Sequence, residues 1–334
     1  MHCDEYLEYK GEIQMSTYEK LIGNTPMAAI HYKLDGKEGK IYAKLESYNL
    51  SGSIKDRMAG HIVRVSEQRG LLKAGQPIVE VTSGNTGIAF AAIGALTKHP
   101  VHIFMPDWVS SERKLLLKMY GAALHTVSHE EGGFEGALQQ ADKAAKALSA
   151  FCPYQFKNHE NPMAHYLTTS LEILSALPHI DAFIAGVGSG GTIMGISKRL
   201  KEFRSVRVSA VEPDGMPLLS GGAARRDHLI EGIGDSFIPD IIDMRYIDNV
   251  IDVNDLDAVK MASRIALELG IGVGISSGAN FIGAVTSQAE FGGVTATVFP
   301  DDNKKYLTTS LANPKDPGES ALSNRIELLG YETV

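Results

Sequence analysis

An α/β fold with mostly parallel sheets, arranged as two three-layer αβα lobes, is what this chain of 334 residues predicts. Two observations carry that expectation. Apolar β-type runs alternate with helical patterns over most of the length, and glycine-rich turns follow several of those runs directly. Parallel strands need a crossover connection, usually a helix, so the alternation implies βαβ units.

In chain order, Ile41-Tyr42-Ala43-Lys44-Leu45 is a β-type run, followed by the turn Ser51-Gly52-Ser53-Ile54-Lys55-Asp56-Arg57 and a helical stretch. Pro77-Ile78-Val79-Glu80-Val81 leads through Thr82-Ser83-Gly84-Asn85-Thr86-Gly87 into an alanine-rich helix over 88–98. Strand, helix, strand and helix recur over 101–105, 110–120, 123–127 and 134–150. Later, Asp181-Ala182-Phe183-Ile184-Ala185 leads into Gly186-Val187-Gly188-Ser189-Gly190-Gly191-Thr192 and another helix. A strand over 206–211, a helix over 254–269 and a strand over 294–299 complete the pattern. Gly274-Ile275-Ser276-Ser277-Gly278 is expected to be a turn before one more apolar helix. Residues 313–334, with Pro314, Pro317 and Gly318 near the start, are expected to form a loosely attached tail.

The turns carry the chemistry. Each glycine-rich segment joins a strand to a helix N-terminus, where unpaired N–H groups and the helix dipole attract an anion. One such turn suggests a phosphate; two suggest a phosphate and a second anion such as a carboxylate. Lys55 sits at a strand-to-helix turn of small residues. Partial burial there lowers an amine's pKa and frees it for Schiff-base chemistry, although an isolated lysine in that position is ordinarily just solvated.

Taken together and in this order, the four segments around Lys55, Asn85, Ser189 and Ser276 resemble the cysteine synthase and cystathionine β-synthase branch of the fold-type-II pyridoxal-phosphate (PLP) enzymes. The similarity runs from Leu21-Ile22-Gly23-Asn24-Thr25-Pro26 to Tyr306-Leu307. The resemblance implies that Lys55 carries PLP as a Schiff base and that Gly188, Ser189, Gly190, Gly191 and Thr192 hold its phosphate. It also implies that Asn85 bonds the phenolic oxygen and that Ser276 faces the pyridine nitrogen. The substrate carboxylate is expected on Thr82, Ser83, Asn85 and Thr86, closed by Gln155. A neutral serine makes the ring a weaker electron sink than a carboxylate would, which favours β-elimination. The implied lobes are a smaller, mobile one over 46–157, a larger one over 13–45 plus 158–312, and the tail over 313–334.

The implied activity is β-replacement on a serine-type amino acid through an aminoacrylate, foremost cysteine synthesis from O-acetylserine and sulfide. Cysteine as donor with release of hydrogen sulfide, giving serine or lanthionine, and cystathionine synthesis are the alternatives. A homodimer is implied, with serine acetyltransferase as a candidate partner. Several positions depart from the family pattern. Leu50 stands where proline is usual, Ser189 replaces a threonine, and Phe299-Pro300-Asp301-Asp302-Asn303-Lys304-Lys305-Tyr306 replaces the common Gly-Glu-Arg-Tyr ending. In Glu231-Gly232-Ile233-Gly234-Asp235, Asp235 replaces a small apolar residue. It is either a general base toward water or thiol, or an exposed loop aspartate.

Three rivals are weaker. Gly186 to Gly191 satisfies the dinucleotide fingerprint Gly-x-Gly-x-x-Gly, with Glu212 downstream for a ribose, but an NAD-dependent oxidoreductase leaves Lys55, Asn85 and Ser276 unexplained. A serine or threonine dehydratase is disfavoured by Thr86-Gly87 and Thr192. A non-enzymatic scaffold is disfavoured by the intact Lys55, Asn85 and Ser276.

Composition narrows the class further. With 44% hydrophobic and 22% charged residues, the chain has an ordinary globular composition. The balance of 32 basic to 40 acidic residues offers no basic stripe for nucleic acid. Eleven histidines without ligand spacing read as core or surface residues, so no metal is expected. Cys3 and Cys152 imply no disulfide framework. Residues 1–20 are polar, neither a signal peptide nor a membrane span, and the expected location is cytoplasmic.

Overall fold

The computed structural model describes residues 17–334. Cys3, the stretch 1–16 and the start of the larger lobe at residue 13 lie outside the described residues. The strands are β1 (Met27–Leu34), β2 (Lys37–Leu45), β3 (Ile78–Val81), β4 (Val101–Pro106), β5 (Ala123–Val127), β6 (Ala182–Gly186), β7 (Arg207–Pro213), β8 (Asn249–Val253), β9 (Thr295–Phe299) and β10 (Ile326–Thr333). Between them run α1 (Lys55–Gln68), α2 (Asn85–Thr97), α3 (Ser111–Met119), α4 (Gly133–Leu148), α5 (Glu160–Leu167), α6 (Thr169–Ala176), α7 (Gly191–Phe203), α8 (Asp255–Leu269), α9 (Ile275–Phe291) and α10 (Leu322–Arg325).

Two sheets result. A seven-stranded sheet has the order β10-β1-β2-β9-β6-β7-β8, and a three-stranded sheet has the order β3-β4-β5. Every pairing is parallel except those of β1 with β2 and with β10. The apolar strands feed both faces, as period-2 alternation requires. In β6, Ala182 and Ile184 pack with Val259, Ile265 and Phe281 of α8 and α9, while Phe183 and Ala185 pack with Ile193, Ile196 and Leu200 of α7. In the smaller sheet Ile78, Ile103 and Met105 face Ile62 and Phe90 of α1 and α2, and Val79, Phe104 and Val127 face Ala137 and Ala141 of α4. Both sheets are therefore the middle layer of an αβα sandwich, the class expected from the sequence. Among the described residues, no helix is long and apolar enough to cross a membrane.

The C-terminal segment is not loosely attached. Asp257 in α8 accepts the backbone N–H groups of Leu322 and Ser323 at 3.1 and 2.7 Å, and β10 pairs along the whole of β1, from Ala28 opposite Thr333 to Leu34 opposite Ile326. Its proline and glycine residues mark only its beginning. The rest is held by a strand from the other end of the chain, and no local pattern announces that pairing.

β3 contains a buried carboxyl. Oε1 of Glu80 accepts the Val81 N–H at 2.9 Å, whereas buried Oε2 has no partner. Burial pushes the group from 4.5 up to about 7. The unfolded chain therefore ionises Glu80 near 4.5 while the folded chain still holds the proton. Stability is lost as pH rises across that window, and the penalty is complete above it. Glu80→Gln is expected to match the parent protein below 4.5 and to exceed it above 7, by at most about 3 kcal/mol. Thermal melting at both ends of the window checks this.

Candidate active site

Lys55 is positioned by the segment that follows β9 and by contacts within its own turn. Ser53 forms a bridge with Asp301 just beyond β9, and the Ile54 N–H donates to the Pro300 carbonyl at 2.8 Å. The turn is closed on the other side by Asp56, whose carboxylate accepts from the Ser51 N–H at 2.7 Å and the Ser51 hydroxyl at 2.5 Å. Gly52 takes φ +87°, and its carbonyl accepts from Lys305 Nζ at 2.7 Å. Two residues on, Arg57 bonds fully buried Glu46 at 2.5 Å and Glu172 at 2.7 Å, and Glu172 also pairs with Lys44 at 2.7 Å. Burial alone would raise Glu172, but Arg57 and Lys44 bring it down to about 2. This balanced set of two cations and two carboxylates fixes the first turn of α1 against β2 and α6.

Lys55 itself is half-buried on the wall of a cavity between the two sheets. Loss of water lowers its pKa, against the opposing pull of Asp235 and Asp301. Thr82, Ser83, Asn85, Thr86, Gln155, Gly188, Ser189, Gly190, Thr192, Asp235 and Ser276 line the same cavity. Gly191 lies beside it as the first residue of α7, so close to Asn161 that a Cβ would meet the amide oxygen at 1.8 Å.

Three helices present their first turns here: α2 through Asn85 and Thr86, α7 through Thr192 and α9 through Ser276. None has a side-chain N-cap bond, so amide donors are left for an anion. The helix α9 begins at Ile275, one residue after Gly274, so Ser276 belongs to its first turn and not to a preceding loop. The N–H of Gly84 bonds Thr82 Oγ1 at 3.0 Å, and Thr86 Oγ1 donates to Gln155 Oε1 at 2.7 Å. Asn161 ties the two turns together by donating to the Gln155 carbonyl at 2.8 Å and to Ser189 Oγ at 3.0 Å. Buried His165 stands 3.4 Å from Thr192 Oγ1, and burial holds its ring well below the usual imidazole range, hence neutral.

Asp235 is half-buried on the cavity wall and not an exposed loop residue. Two contacts bring it there. The Gly234 N–H donates to the Val187 carbonyl at 2.9 Å, and Gly188 lies so close to the Gly232 carbonyl that a Cβ would meet the oxygen at 2.2 Å. Burial raises its carboxyl above the ordinary range, opposed by Lys55 and His228. The cavity also contains residues that sequence reasoning did not assign: Arg113, Phe134, Phe156, Glu231 and Tyr306. Asp301, fully buried, accepts from Asn85 Nδ2 and from the Tyr306 hydroxyl, both at 2.8 Å. The unusual segment 299–306 was the only signal for Asp301 and Tyr306; Arg113 had none.

A lysine amine opposite two uncapped anion-binding turns is the site of a PLP-dependent enzyme. Residues 18–301 match the family model described as pyridoxal-phosphate dependent enzyme, and the chain belongs to that family. Within it the chain is cysteine synthase-like. Cysteine synthase of Staphylococcus aureus (strain Mu50 / ATCC 700699) is 40% identical over 297 residues, 87% of this chain and 95% of its own. The crystal structure of a hydrogen sulfide-producing enzyme from Fusobacterium nucleatum is 48% identical, with a TM-score of 0.91 over 95% of this chain and 97% of that one. An aspartate-to-asparagine mutant of a hydrogen sulfide-producing enzyme, lysine-dimethylated and complexed with an α-aminoacrylate intermediate, is also 48% identical, with a TM-score of 0.90 over 93% and 96%. The cavity fits the cofactor on its own terms. The α7 N-terminus lacks a cap, Gly188 leaves no room for a side chain, and Asn85 Oδ1 is a buried polar atom without a partner.

Proposed function

We propose that this protein exchanges the β-substituent of a serine-type amino acid, with cysteine as the donor, sulfide as the leaving group and water or a thiol as the nucleophile. The observation that carries this reading is Asp235, half-buried on the cavity wall and electrostatically coupled to Lys55. PLP, when bound, supplies the electron sink that makes the Cα proton acidic and the β-substituent labile. Lys55 would hold it, Gly188, Ser189, Gly190, Gly191 and Thr192 would take its phosphate, and Asn85 and Ser276 would contact its ring.

The side chains divide the remaining work. The turn from Thr82 to Thr86, with Gln155, binds the donor carboxylate. Lys55 Nζ, whose pKa the loss of water lowers against the pull of Asp235 and Asp301, takes the Cα proton and later returns it. The β-substituent departs with its electron pair, as hydrosulfide when cysteine is the donor. Asp235, as its carboxylate, takes a proton from water as the Cβ–O bond forms and passes it on to the hydrosulfide. A carboxyl raised above the ordinary range is a stronger base than an exposed aspartate. Hydrosulfide is already an anion and needs no base, so a carboxylate here serves water or a neutral thiol better.

Cysteine synthesis from O-acetylserine and sulfide is the second reading, supported by the 40% identical cysteine synthase. Steady-state assays separate the two: sulfide release from cysteine with serine as product is expected to exceed cysteine formation from O-acetylserine, and the reverse order would favour the second. The smaller lobe over 46–157 closing on the larger one, a cytoplasmic homodimer and contact with serine acetyltransferase are parts of the same proposal.

A further inference from the structure

We propose that Arg113 and Glu231 form a gated carboxylate subsite, in which Arg113 takes the α-carboxylate of an amino-acid thiol entering as nucleophile and Glu231 gives way to it. The inference rests on the replacement reaction proposed above and names the class of its second substrate. Arg113 comes from α3 beside the smaller sheet, whereas Glu231 lies in the segment after β7 of the larger one, so their ion pair crosses the cavity.

The two partners differ in freedom. Arg113 is 2% exposed, its guanidinium lies 4.5 Å over the Tyr306 ring, and its Cδ and Nε would stand 2.7 Å from a Cβ on Gly84. It has no room to leave. The Glu231 side chain is 31% exposed and precedes Gly232 at φ +92°, so its carboxylate has water to return to. Glu231 pairs with Nη1 of Arg113, but the buried Nε has no hydrogen-bond partner. A guanidinium is satisfied by two parallel bonds to one carboxylate, and leaving a buried donor unused is costly. Exchanging Glu231 for a carboxylate that also reaches Nε keeps the charge balance and satisfies that donor.

The location identifies the visitor. The donor carboxylate is assigned to the turn from Thr82 to Thr86, which includes Gly84, so a second carboxylate beside it belongs to the second reactant. Water and sulfide carry none; cysteine and homocysteine do. In the step itself the thiol sulfur bonds the donor Cβ, the leaving group departs with its electron pair, and the thiol proton passes to Asp235.

The test uses the holoenzyme with β-chloro-L-alanine as donor, so that chloride leaves and the varied thiol is acceptor only. Thioether product is measured against homocysteine and against 2-mercaptoethylamine, which lacks the carboxylate. Arg113→Met is expected to raise the homocysteine KM about ten- to a hundredfold, the loss of charge-assisted hydrogen bonds, and to leave that of 2-mercaptoethylamine in place. Arg113→Lys should fall between, and Glu231→Gln should lower the homocysteine KM. Equal changes for the two thiols, or a rise with Glu231→Gln, would overturn the subsite. A parent enzyme that replaces chloride by either thiol without preference sinks the subsite alone, whereas one that consumes no β-substituted donor ends both readings.

Discussion

Lys55→Ala is expected to abolish turnover of every β-substituted donor and to leave borohydride unable to fix PLP to the chain. Both effects follow from one amine. Lys55 Nζ is the proposed attachment point and the proposed base at Cα, so alanine removes attachment and proton transfer together. The fold should survive, because the turn around Lys55 is held by the Ser53 to Asp301 bridge, by Asp56 on Ser51 and by Lys305 on Gly52, none of which uses the Lys55 side chain. PLP is expected to remain associated through the phosphate turn. Peptide mass after borohydride reduction reads the attachment, and sulfide or pyruvate release reads the chemistry. Full activity in the variant would end the assignment of this cavity.

Asp235→Asn should slow replacement by water roughly 10²–10⁴-fold, the usual contribution of one positioned acid or base. Removal of the Cα proton uses Lys55 and should slow much less, so deuterium wash-in at Cα, followed by NMR, separates the two steps. The pH profile provides an independent reading. Burial raises the Asp235 carboxyl, so its ionised form appears only at higher pH than for an exposed aspartate, and the acid limb of the replacement rate shifts upward accordingly. Asparagine has no such limb. Removing the carboxylate also removes one of the two charges that raise the Lys55 pKa, which should extend the neutral amine to lower pH. Equal turnover of cysteine by parent and variant would leave Asp235 without a role and return the balance to cysteine synthesis.

The sequence by itself determined the parts of this protein that depend on neighbouring residues. Alternating apolar runs and helices specify βαβ units because strand and helix periods are local, and the glycine turns before α2 and α7 are legible because a tight turn and an open helix N-terminus need particular residues in immediate succession. For the same reason Lys55, Asn85, Ser189, Gly190 and Thr192 were identified from short motifs, and the cavity contains all of them.

Contacts between distant segments were decided only in three dimensions. The local pattern over 313–334 predicts a loose tail, whereas β10 within it is held by β1 from the opposite end of the chain. Residues alone left Asp235 open between base and loop. The approach of Gly188 to the Gly232 carbonyl and the bond from the Gly234 N–H to the Val187 carbonyl place it on the cavity wall. Arg113 carries no signal in the sequence. Its burial under Tyr306 and its pairing with Glu231 arise only once α3 and the segment after β7 face each other across the cleft. A charged side chain acquires a shifted pKa or an unused donor from the water it loses and the partners it meets, and neither is encoded near it in the chain.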